Sequence, residues 1–159
     1  MNRILITDTL DDEAVALLAG KTDVVHLAGG DEAALLSLAA AADAILVRSG
    51  VRITRQVIEA APRLRVIGRA GVGVDNIDLD AATERGIWVV NAPDSNSVAV
   101  AEHVFALMLA LSRRLLGAAA SVCRGEWRRG AYRGEELYGK TLGIVGLGRI
   151  GGRVAVAVE

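Results

Sequence analysis

Net charge is what this sequence has least of: 18 basic residues stand against 19 acidic ones, leaving −1. No global field draws in nucleic acid or an anionic membrane surface, so neither is an expected partner. Cysteine is nearly absent, and Cys123 alone cannot form an internal disulfide. Long apolar runs are missing too. Ile4-Leu5-Ile6 is three residues before polarity returns, short of the roughly 7–15 of a secretory core, so a reducing cytoplasm is the expected location. Val104 to Leu111 is the longest charge-free apolar stretch of the second half, well under the roughly 20 residues that span a bilayer. There is no internal repeat, and no His, Cys, Asp or Glu cluster has metal-ligand spacing.

What is present is Val, Ile and Ala in alternating blocks. Short Val/Ile runs alternate with longer Ala-rich segments, and Asp, Thr, Ser or Gly marks each boundary: a βαβα pattern. Strands are expected at 4–6, 23–26, 44–47, 64–68 and 87–90. Those at 4–6, 44–47 and 87–90 are continuously apolar, as in a parallel sheet covered on both faces. Helices are expected from about Asp11 to Leu18, Asp31 to Ala40, Thr54 to Ala60 and Asp78 to Arg85, the last stopped by Gly86. From Ser97 to about Arg124 the pattern is helical with no proline and a single glycine. It predicts one helix of roughly 28 residues and about 42 Å, too long for the lobe before it and suited to linking two lobes or packing on a second subunit. A loop over 125–139, a strand over 141–145 and a helix from Ile150 follow. The expected organisation is a lobe over 1–96, a connecting helix over 97–125 and the start of another lobe over 126–159.

Gly146-Leu147-Gly148-Arg149-Ile150-Gly151 matches G-x-G-x-x-G between an expected strand and an expected helix. The first glycine permits a tight turn, the second lets N–H groups approach a pyrophosphate, and the third lets helix and strand pack closely. The alternative is a glycine-rich turn with no ligand. Gly134 to Thr141 also fits G-x-x-x-x-G-K-T, but a loop precedes it, a strand is expected after it, and Glu135 and Glu136 would repel phosphates. A phosphate loop follows a strand and opens a helix, so this match is coincidental.

Three segments fall at the C-terminal ends of expected strands, where open α/β sheets bind ligands: Arg48-Ser49-Gly50, Arg69 to Gly73, and Asn91 to Asn96. They bring guanidinium groups, hydroxyls, an amide and backbone donors to one rim, which suits a carboxylate or phosphate. Equally open is that the arginines cap helices or pair with Asp75, Asp78 or Asp80. A signalling receiver of the same sheet topology needs clustered acids, and Asp8 has no partner acids at the third strand's end. His103 beside Glu102 does not form an acid/base pair, because adjacent helix positions diverge; packing or a hydrogen bond is its expected role, and His26 is read as structural. Cys123 is read as inert packing, and Arg124, Arg128 and Arg129 around Trp127 as a solvated basic cluster.

Arg69 to Pro93, Ser95 to Arg113 and Gly139 to Gly151 together resemble the D-isomer-specific 2-hydroxyacid dehydrogenases. The three segments stand in the family's order and cover nearly the whole chain. The resemblance implies a flavodoxin-like parallel-sheet substrate lobe, a long connecting helix and the start of a Rossmann lobe. It also implies NAD-dependent oxidation of a D-2-hydroxy acid, closest to the branch acting on 3-phosphoglycerate at the entry to serine biosynthesis. Arg48, Ser49 and Asn96 match positions that contact substrate, and the backbone of Gly71, Val72 and Gly73 matches the loop holding its carboxylate. Val72 also falls at the nicotinamide end of the cofactor. Arg149 and Ile150, with Gly146, Gly148 and Gly151, match the turn that closes over the pyrophosphate. The family's long helix forms its dimer interface. Its catalytic histidine, glutamate and arginine match none of the residues here, so the chain is expected to be catalytically incomplete. Other D-2-hydroxy acids as substrate, or a non-catalytic anion-binding and dimerisation module, are the alternative readings. Gly152 and the run Val154 to Val158 disfavour the expected last helix.

Overall fold

The computed structural model describes residues 1–18, 20–27 and 31–157. The chain folds as two compact units, Met1–Ser95 and Asn96–Glu159.

The first unit is a five-stranded, wholly parallel sheet of order β2-β1-β3-β4-β5. Its strands are β1 (Arg3–Ile6), β2 (Asp23–His26), β3 (Ala44–Val47), β4 (Val66–Arg69) and β5 (Trp88–Asn91). Helices α1 (Asp12–Ala16), α2 (Glu32–Ala39), α3 (Arg55–Ala60) and α4 (Leu79–Glu84) fill the crossovers. Each begins where a short polar side chain accepts a backbone N–H that has no partner inside the helix. Asp11 accepts from Glu13 at 3.0 Å, Asp31 from Ala33 at 3.1 Å, and Asp78 from Ala81 at 2.8 Å. Gly86 ends α4 with φ +66°, the left-handed conformation only glycine adopts without penalty.

Leu5, Ile45, Val47, Ile53, Val57, Ile58, Ile67 and Ile77, with Ala39, Ala81 and Ala82, form one buried core. Full burial of a side chain such as Ile45 contributes about 1.5–3 kcal/mol, which the four-residue strands need because each ladder is short. β5 differs from the expected doubly covered strand. Val89 packs on the core, but Trp88 is 76% exposed and Val90 50% exposed, because β5 is an edge strand and these two residues share its other face.

In the second unit the single helix expected over 97–124 is two, α5 (Ser97–Ser112) and α6 (Leu115–Cys123), bent by 67° at the break. The cause is tertiary. Glu135 N–H donates to the Ser112 carbonyl at 2.9 Å, and Gly134 lies so close that a Cβ there would stand 2.6 Å from the Arg113 α-carbon. The chain turns at Arg114, which takes φ +50°. No single helix among the described residues is long and apolar enough to cross a membrane.

The strand expected over 141–145 is irregular chain without a ladder. A strand exists only by hydrogen bonding to a neighbour, and among the described residues no neighbour is paired with it. After a 3-10 turn (Arg129–Tyr132), the last element is α7 (Arg149–Val156), which packs on α5. The helix therefore forms despite Gly151, Gly152 and the valines, with Val154 buried; Val158 lies outside the described residues.

Candidate functional site

In a parallel sheet of this order the loops leaving β1 and β3 diverge, and a crevice opens above their C-terminal ends. β1 runs into Thr7 and Asp8, β3 into Arg48 to Val51, and β4 into Ala70 to Gly73. The Asp8 carboxylate accepts the Arg48 and Gly50 backbone N–H groups, each at 2.9 Å, and the Thr7 hydroxyl at 2.9 Å. Asn76, almost fully buried, donates from Nδ2 to the carbonyls of Arg48 at 2.7 Å and Val51 at 2.6 Å. Its Oδ1 lies 3.5 Å from Arg69 Nε. Asn91 Nδ2 donates to the Val72 carbonyl at 2.7 Å, and Ala92 N–H to the Gly71 carbonyl at 2.9 Å.

Arg48, Ser49, Gly71, Val72 and Gly73 therefore sit on consecutive loops at one sheet edge. Asn96 instead leads into α5, without a side-chain capping bond, in the other unit. Arg48 and Arg69 form no ion pair among the described residues: Asp78 caps α4, and Arg48 Nη1 donates to the Thr9 carbonyl at 3.2 Å. Two guanidinium groups without carboxylate partners at the edge of one sheet can meet an anion. A Cβ at Gly71 would overlap the Arg69 guanidinium, and one at Gly73 would stand 2.8 Å from Asp75 Oδ1. With those two side chains in place, positions 71 and 73 have room for backbone only.

The second unit carries Gly146 to Gly151. Gly146 turns with φ +94°, Gly148 precedes the first residue of α7, and Gly152 N–H donates back to the Gly148 carbonyl at 2.8 Å. A Cβ on Gly151 would overlap the Gly146 carbonyl, whereas one on Gly148 would meet nothing within 4 Å. The third glycine thus lets the turn fold onto the helix start, and the second leaves open space over it. No side chain caps the start of α7 from the Gly148 position, the arrangement in which a helix N-terminus receives an anion.

The catalytic-domain profile of the D-isomer specific 2-hydroxyacid dehydrogenases matches residues 4–136. The chain belongs to this family. It is similar to D-3-phosphoglycerate dehydrogenase of Methanocaldococcus jannaschii, 54% identical over 97% of the chain and 29% of that protein. The chain thus spans under a third of that curated relative. Two solved structures share its fold. One is an NAD-dependent formate dehydrogenase from Staphylococcus aureus in complex with NAD (TM-score 0.84, 32% identity, 98% of this chain and 53% of that one). The other is an acyclic imino acid reductase in complex with NADPH and D-Arg (TM-score 0.86, 28% identity, 98% and 52%).

Within this 2-hydroxyacid dehydrogenase chain, sequence reasoning missed the two side chains that fasten the rim. Asp8 is visible in the sequence only as an acid without acidic partners, and Asn76 only as one polar residue in an Asp-Asn-Ile-Asp run. Their partners are 25 to 42 residues away, so no local pattern exposes them. Other expectations need correcting. Cys123 is exposed rather than packed, and His103 is exposed on α5 rather than buried in packing. The basic cluster is partly neutralised, since Glu126 ion-pairs with Arg124 at 3.1 Å and Arg128 at 3.3 Å. Hydrogen bonds from Arg124 and then Ser121 hold the Glu126 carboxyl below its ordinary value.

Proposed function

We propose that these residues are the N-terminal part of an NAD-dependent D-3-phosphoglycerate dehydrogenase, which oxidises 3-phosphoglycerate to 3-phosphohydroxypyruvate in serine biosynthesis. The observation that carries the reading is a pair of guanidinium groups, Arg48 and Arg69, without ion-pair partners among the described residues and beside a loop with bare backbone at Gly71 and Gly73. A substrate with a carboxylate at one end and a phosphate at the other needs such donors for each anionic group. Identity to a relative of that name supports the choice of substrate.

In this reading Arg48, Ser49 and Asn96 hold the substrate, and the Gly71, Val72 and Gly73 backbone takes its carboxylate. Gly146, Gly148, Arg149, Ile150 and Gly151 hold the cofactor's pyrophosphate, with Val72 near its nicotinamide. When bound, a nicotinamide cofactor supplies the hydride acceptor. NAD rather than NADP is part of the proposal, as are cytoplasmic location and a homo-oligomer built through residues 97–125. Residues 1–96 serve as the substrate lobe and 126–159 as the beginning of the cofactor lobe.

The 159-residue chain is inactive in this reading, because hydride transfer needs reacting atoms held about 3–3.5 Å apart between both lobes. The test pairs turnover with binding. Purified chain 1–159 is expected to form no NADH from 3-phosphoglycerate, yet to gain about 2.7 kcal/mol of stability at a ligand concentration of 100 Kd. Arg48→Ala is expected to remove that gain. NADH formation would overturn the incompleteness, and an unchanged melting temperature would overturn the binding rim.

A further inference from the structure

We infer that Asp8 and Asn76 are the positioning residues of the anion rim, two side chains that together immobilise the loop carrying Arg48 and Ser49. The inference rests on the reading of that rim as a substrate site. Residues 48–51 leave β3 with no ladder or helix to satisfy their backbone. Four of their polar groups are nevertheless taken: the N–H groups of Arg48 and Gly50 by the two Asp8 oxygens, and the carbonyls of Arg48 and Val51 by Asn76 Nδ2. One peptide segment is thus gripped from the β1 side by an acceptor and from the β4–α4 side by a donor.

The chemistry of each residue fits only this arrangement. A carboxylate has acceptors alone and suits two N–H groups, while an amide nitrogen has two hydrogens and suits two carbonyls. Gly50 is part of the device, since a Cβ there would stand 2.6 Å from Asp8 Oδ1. Asn76 is itself anchored, because its own carbonyl accepts the Ile53 N–H at 2.9 Å. Its Oδ1 faces Arg69 Nε, so one amide ties the loop bearing Arg48 to the arginine that ends β4. An exposed loop already held in one conformation loses less entropy on binding an anion, and the Arg48 guanidinium starts from a fixed root.

This makes a claim that a merely structural role does not: Asn76 and Arg48 must be energetically coupled in binding although Asn76 hydrogen-bonds to the Arg48 carbonyl and not to its guanidinium. Binding of D-3-phosphoglycerate to chain 1–159 is measured by calorimetry for wild type, Asn76→Ala, Arg48→Ala and the double variant, with Asp8→Asn as a milder loosening should Asn76→Ala fail to fold. Amide hydrogen exchange at Arg48 and Gly50 is followed in the same proteins without ligand. The expected result is at least tenfold weaker binding for Asn76→Ala in wild type, a far smaller effect of Asn76→Ala in the Arg48→Ala background, and faster exchange of both amides in Asp8→Asn. Additive losses, or binding within twofold of wild type in a folded variant with loosened amides, would overturn the positioning role. Wild type that ignores 3-phosphoglycerate while keeping both amides protected would overturn the substrate reading itself, and the grip would stand as a structural brace only.

Discussion

The Met1–Ser95 unit and the Asn96–Glu159 unit are built from similarly apolar sequence, yet they reach different degrees of closure. In the first, every expected strand finds a parallel neighbour and a buried core forms between sheet and helices. In the second, an apolar stretch just as suited to a strand, Thr141 to Val145, has no ladder among the described residues, and Val145 and Leu147 are largely exposed. Strand propensity states what a segment can do, and a hydrogen-bonded neighbour decides whether it does so. Helices need no such partner for their hydrogen bonds, so α5, α6 and α7 form even where the strand does not.

The sharpest way to break this comparison is to empty the core of the closed unit. Ile45→Ala is expected to cost about 2–5 kcal/mol, because Ile45 is fully buried at the centre of the sheet. A truncation in the second unit away from residues 97–125, Val156→Ala, is expected to cost under about 0.5 kcal/mol, since Val156 is 73% exposed. Equilibrium urea unfolding checks both, and equal losses would contradict the contrast.

A middle-sized effect probes the break between α5 and α6. Arg114 holds a left-handed conformation that carries a penalty for a side chain with Cβ. Arg114→Gly is expected to raise stability by about 1 kcal/mol. Arg114→Ala keeps the penalty and is expected to raise nothing. Thermal melts compare the two variants, and a gain for alanine equal to that for glycine would place the helix break elsewhere.

The smallest effect is electrostatic and belongs to the first unit. Asp43 accepts the Arg3 backbone N–H at 2.8 Å and hydrogen bonds from the Arg63 guanidinium, and these hold its carboxyl below its ordinary value. The charged form is favoured by folding, so its contribution is complete above the ordinary carboxylate range and is lost as pH falls through the depressed folded value. Asp43→Asn should therefore melt below wild type at neutral pH, and the two curves should converge in acid. A gap that widened on acidification would reverse the assignment.

Much of this was legible residue by residue. The candidate strand segments, the aspartate caps of α1, α2 and α4, and the stop at Gly86 are local signals, each readable within a few positions from side-chain chemistry or backbone sterics. So was the glycine turn over 146–151, whose spacing is the shape of the backbone it permits. The rim residues Arg48, Ser49 and Gly71 to Gly73 could be placed at one sheet edge because parallel strands carry their C-terminal loops to the same side. The alternative pairing of those arginines with Asp75, Asp78 or Asp80 is equally open in the sequence, and among the described residues no such ion pair forms.

What only the tertiary structure decided involves partners far apart in sequence. The helix over 97–124 breaks because residues 134 and 135 arrive against Ser112 and Arg113. Asp8 and Asn76 fasten the rim through contacts 25 to 42 residues away. The local sequence thus determined which elements this chain can form and which residues stand at their ends. Packing determined which of those elements persist and which side chains fasten them, because hydrogen bonds between distant segments exist only once the segments have met.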